Sequence, residues 1–118
     1  MRRAKPDELS TEAFAVLTAE VSEPELKKLF PVEMEEIDSL AEPEPSVGAL
    51  VQLRSGPYVV VIYGKETHTM KVLVPQGTDP IKGIEQVLAE VPIPKRRIRW
   101  RHEPNPVPGE RGEEFTVG

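Results

Sequence analysis

Leu9-Ser10-Thr11-Glu12-Ala13-Phe14-Ala15-Val16-Leu17-Thr18-Ala19-Glu20-Val21 is the stretch on which the fold turns, because it decides whether the first third of the chain stands apart from the rest. Its periodicity predicts a helix. Ser10 stands at an N-cap, Leu9 and Phe14 fall at the two positions of a hydrophobic staple, and Phe14, Leu17 and Val21 continue one face at helical spacing. Ser22-Glu23-Pro24-Glu25 is a capping box with proline in the first turn, so a second helix follows, with Leu26, Leu29 and Phe30 as its apolar stripe. Pro31 kinks or restarts it. Val32, Met34, Ile37 and Leu40 then sit among Glu33, Glu35, Glu36 and Asp38, and Glu42-Pro43-Glu44-Pro45 reads as an extended linker.

Charge separates the same regions. Residues 1–46 carry 5 basic and 12 acidic side chains, residues 47–94 carry 4 and 4, and residues 95–118 carry 6 and 4, within a formal net charge of -5. The expectation is an acidic helical arm (1–46), a compact α+β domain (47–102) and a mobile tail rich in Pro, Gly and Glu (103–118).

The centre reads as a meander. Val47, Ala49, Val51 and Leu53 alternate along a first strand. Tyr58 to Tyr63 is apolar on both faces and predicts a central, covered strand, and Gly64-Lys65 fits a two-residue turn with glycine at the left-handed position. Thr67 to Val74 alternates again and groups His68 with Met70 and Val72. Asp79-Pro80 then opens a helix whose stripe is Ile81, Ile84, Val87, Leu88 and Val91, and Gly83 allows it to approach the sheet closely. Pro92 and Pro94 end it. The expected fold class is α+β: a three-stranded antiparallel meander, one helix and a last edge strand (β-β-β-α-β), preceded by the acidic helical arm.

That last strand holds the chain's main cluster of positive charge: Lys95, Arg96, Arg97, Ile98, Arg99, Trp100, Arg101, His102. In an extended chain Arg97, Arg99 and Arg101 share one face at a spacing of ~7 Å. Ile98 and Trp100 share the other and are expected to pack under the helix. The arginines are candidates for phosphate contact. They equally suit a charged sheet edge that discourages pairing, or ion pairs with the protein's own acidic residues.

Other chemistry is weakly signalled. The two histidines, His68 and His102, lie on different expected strands and form no close ligand pair, and there is no Cys. No GxSxG, GxGxxG or GxxxxGK[ST] pattern occurs. Glu33, Glu35, Glu36 and Asp38 lack the glycine and alternating oxygens of a calcium loop. No catalytic, metal or cofactor residues are therefore assigned. Cysteine-free composition and the lack of a membrane-length apolar run lead to the expectation of a cytoplasmic protein that does not enter a membrane.

The leading expectation is a non-enzymatic protein–protein interaction module: an adaptor, inhibitor or accessory subunit. It would bind another protein, or itself, through the sheet edge and the arm residues Phe14, Leu17, Leu26, Leu29, Phe30, Ile37 and Leu40. The alternative is a nucleic-acid-binding protein contacting phosphates through Arg97, Arg99 and Arg101, with Trp100 stacking on a base. Third in rank is an enzyme using a site near His68 and Tyr63.

Overall fold

The computed structural model describes residues 1–37 and 44–103. Seven strands and two helices follow in the order β1 (Arg2–Ala4), β2 (Ala13–Glu20), α1 (Glu23–Leu29), β3 (Glu35–Ile37), β4 (Ser46–Gln52), β5 (Tyr58–Gly64), β6 (Thr69–Pro75), α2 (Pro80–Glu90) and β7 (Ile98–Arg101), with 3-10 turns at Pro6–Glu8 and Lys95–Arg97. The strands form one antiparallel sheet in the order β1-β4-β5-β6-β2-β7. The short strands β1 and β3 share one edge of β4, β1 pairing with Leu50–Gln52 and β3 with Ser46–Gly48.

This overturns the expectation of a three-stranded meander preceded by a helical arm. Residues 13–20 form a strand in the interior of the sheet, between β6 and β7. The helical look of this stretch comes from a bulge. Phe14 pairs with Val74, then the register shifts across Val16, and Leu17 and Ala19 pair with Val72 and Met70. The extra residue turns a two-residue alternation into the spacing Phe14, Leu17, Val21, which imitates one face of a helix. Val16, the inserted residue, is itself fully buried.

Glu23–Leu29 do form a helix, with Ser22 as its N-cap. The Ser22 hydroxyl accepts from the Glu25 amide at 3.3 Å, and the Glu25 carboxylate accepts from the Ser22 amide at 2.9 Å. The helix ends at Phe30, and no further helix starts at Pro31; β3 takes its place and brings Ile37 to the edge of the sheet. Leu40 lies outside the described residues, as do residues 104–118 of the expected tail.

Register fixes the two faces. Val47, Ala49 and Val51 lie opposite Tyr63, Val61 and Val59, and these continue across β6 and β2 through Met70, Val72, Val74, Phe14, Leu17 and Ala19. Both helices cover this face, α1 with Leu26, Leu29 and Phe30 and α2 with Ile84 and Val87, to make one hydrophobic core. Asp79 caps α2 by accepting from the amides of Ile81 and Lys82. A side chain on Gly83 would begin 3.0 Å from Val74, so its absence lets the helix sit close to β6.

The opposite face carries Leu50, Tyr58, Val60, Ile62, Lys71, Leu73, Thr18 and Trp100. Neither α1 nor α2 packs on it, and the 3-10 turn at Pro6–Glu8 reaches its β1 side, where Glu8 accepts from the Tyr58 hydroxyl at 3.0 Å. Tyr58, Val60 and Ile62 are half-buried there, so β5 is central but less fully covered on this side than its composition implies. Among the described residues no helix is long and apolar enough to cross a membrane.

Candidate functional site

β7 is the outermost strand on its side of the sheet, pairing with β2 alone among the described residues. Its backbone geometry can be read in detail. The His102 amide donates to the Val16 carbonyl at 2.8 Å, flanking the Leu17–Arg101 pair. That bond marks Leu17–Arg101 as a non-hydrogen-bonded antiparallel pair, so the N–H and C=O of Arg101 point away from β2, out of the sheet edge.

A second bulge, between Thr18 and Ala19, redistributes the side chains. Ile98 lies opposite Ala19 on the core face, while Trp100 lies opposite Thr18 on the open face. Trp100 therefore does not pack under a helix. It is 47% exposed, the one exposed large apolar side chain among the described residues. Its ring meets His102 edge-on, with centroids 6.3 Å apart.

The three-arginine stripe is also broken. Arg97 belongs to the 3-10 turn and pairs with Glu25 of α1 at 3.1 Å. Arg99 gives both Nε and Nη2 to Glu20 Oε1, at 2.9 and 2.7 Å. Arg101 has no carboxylate partner among the described residues, and neither do Lys95 and Arg96. The acidic first third of the chain thus supplies internal partners for two of the arginines. The Ser22 amide, followed by Arg97, holds Glu25 below the usual carboxylate range. Lys95, Ile98, Arg99, Trp100, Arg101 and Glu103 line a shallow cleft of about 390 Å³ along this edge.

The residues expected to meet a partner from the arm fare differently. Leu17, Leu26, Leu29 and Phe30 are buried in the core and present no surface, because the segment that carries them is built into the sheet. Phe14 is half-buried against that core. Ile37 is half-buried at the β3 edge, its side chain over Gly48.

Tyr63 and His68 do come together. The turn between β5 and β6 has four residues, Lys65 to His68, rather than two, and His68 rather than Gly64 takes the left-handed conformation, at φ 57°. His68 is exposed at the turn, not half-buried on a strand. Its Nδ1 lies 2.9 Å from the Tyr63 hydroxyl, which donates its single proton to the Val21 carbonyl at 2.9 Å. The imidazole must then be the donor to the phenol oxygen. Burial pushes the Tyr63 pKa up. The phenol thus links β5 to the Val21 carbonyl, just past the end of β2, and to the turn residue His68.

Glu44 was legible only as part of a linker, yet it holds the same turn. Its carboxylate accepts from the Glu66 and Thr67 amides at 2.7 and 2.8 Å and from the Thr67 hydroxyl at 2.7 Å. These bonds, the Thr67 hydroxyl first, draw its pKa down. A side chain on Gly64 would start 2.5 Å from this carboxylate and would displace it from the turn, and Gly64 does not take the left-handed conformation. Among the described residues no group of three His, Asp or Glu side chains is placed to hold a metal ion.

Comparison with protein-family models, with curated proteins and with solved structures found no match to this chain.

Proposed function

We propose that this protein is a non-enzymatic protein-binding module, of the adaptor or accessory-subunit kind, whose working surface is the outer edge of β7, unpaired among the described residues. One observation carries the reading: an edge strand turns the donor and acceptor of Arg101 outward beside the exposed Trp100. An unpaired strand edge is a template for a further strand, and such addition is a recurring mode of peptide recognition. Aromatic and arginine side chains at one spot are the residue types that dominate binding energy at protein interfaces.

The test replaces Trp100 by Ser and Arg101 by Pro. Proline is tolerated at an edge position whose N–H makes no ladder bond, and it blocks strand addition. With folding verified by circular dichroism, both variants should lose the partners that the parent chain retains in quantitative pull-down. An unchanged partner set would overturn the reading.

The exposure of Trp100 next to Arg101 favours nucleic acid as a second reading, by stacking and phosphate contact. Such binding weakens steeply with salt. Lack of affinity for single-stranded DNA and RNA at low ionic strength would remove it.

A further inference from the structure

We infer that the partner of β7 is an extended peptide segment rich in carboxylates, added to the sheet as an eighth strand. This rests on the reading of β7 as a docking edge, and it specifies the chemistry of the occupant.

The backbone decides between a peptide and a polynucleotide. Arg101 presents an outward N–H and an outward C=O together. A peptide strand supplies one acceptor and one donor to match them. A phosphodiester offers acceptors only and would leave the carbonyl facing negative oxygen.

Side chains decide which peptide. Arg97 and Arg99 are engaged by Glu25 and Glu20, whereas Lys95 and Arg101, which line the cleft together with Glu103, have no carboxylate partner among the described residues. Positive charge without a carboxylate partner among the described residues is matched by acidic side chains on the added strand. The apolar part of the cleft, Ile98 and Trp100, suits apolar residues placed between those acids. A second copy of this chain is a poor occupant through the same edge. Symmetric pairing of β7 with itself sets a strand with arginines at positions 99 and 101 against another, and like charges across a ladder are destabilising.

Synthetic peptides of alternating Glu and Val, Thr and Val, and Lys and Val test the inference, with a single-stranded oligothymidylate in a fourth arm. Each is titrated into the full chain and followed by amide chemical shifts. The Glu-Val peptide should shift the Arg99 and Arg101 amides and slow exchange of the Arg101 amide. It should bind at least tenfold more tightly than the Thr-Val peptide, and the Lys-Val peptide should bind more weakly than either. The double variant Lys95→Gln/Arg101→Gln should lose the preference for acid. Equal affinity of the Glu-Val and Thr-Val peptides at these amides would overturn the acidic chemistry and leave the docking edge standing. No shift at Arg101 with any peptide would overturn both. Tighter, salt-sensitive binding of the oligothymidylate at the same amides would overturn the peptide assignment.

Discussion

The hydroxyl of Tyr63 lies 2.9 Å from Nδ1 of His68, five residues further along the chain, and this contact closes the β5–β6 turn onto β2. Because the phenol also donates to the Val21 carbonyl, Tyr63→Phe deprives that buried carbonyl of its side-chain donor and removes the acceptor of the imidazole. A loss of about 1–2 kcal/mol is expected in urea unfolding. His68→Gly should cost less than His68→Ala, since glycine accepts the left-handed conformation that alanine resists.

Gly48 is a point of close approach. A side chain there would start 2.6 Å from Ile37 Cδ1 and 2.7 Å from the Val61 carbonyl oxygen. Ile37 can rotate away, but the carbonyl belongs to the neighbouring strand and cannot. Gly48→Ala should therefore destabilise the fold by about 1–3 kcal/mol, measured by the same unfolding assay.

Two large apolar residues separate the structural and the proposed binding surfaces. Phe30 is fully buried at the end of α1, and Phe30→Ala should cost about 3–5 kcal/mol. Trp100 is 47% exposed, and Trp100→Ala should cost less than about 1 kcal/mol while removing partner binding. A Phe30→Ala variant as stable as the parent would contradict the placement of Phe30 in the core with Leu26 and Leu29.

Acid should weaken the fold through its carboxylates. The guanidinium of Arg2, the Lys5 amide and the Tyr58 hydroxyl hold the Glu8 pKa down to about 2, against an ordinary value of 4.5. Glu44 and Glu25 are lowered for similar reasons. A carboxylate whose pKa is depressed by folding contributes fully above its unfolded value, and that contribution is lost as pH falls toward the folded value. The denaturation midpoint should therefore fall between about pH 4.5 and pH 2, and Glu8→Gln should flatten that dependence.

Sequence reasoning located the elements whose signals are local. The capping box at Ser22–Glu25, the Asp79-Pro80 start of α2 and the close approach at Gly83 all depend on residues near one another in the chain. It missed what depends on tertiary partners. The bulge at Val16 disguised β2 as a helix, and the bulge between Thr18 and Ala19 moved Trp100 from the core face to the open one. The left-handed residue of the β5–β6 turn is His68 and not Gly64, whose nearest neighbour is the Glu44 carboxylate, a contact that no local pattern shows. At the candidate site, the strand character of Ile98–Arg101 and its edge position were legible, whereas Lys95–Arg97 form a 3-10 turn in place of the expected strand. The division of its arginines between internal and open partners was not, because Glu20 and Glu25 reach them only once β2 lies beside β7.

The outward backbone of Arg101 is the claim on which the functional account depends, and amide hydrogen exchange measures it directly. The His102 amide, bonded to the Val16 carbonyl, should be protected, while the Arg101 amide exchanges fast in the free chain and slows when a strand-forming peptide is added. A protected Arg101 amide in the free chain would contradict the account, because it would mean that the edge of β7 is already paired.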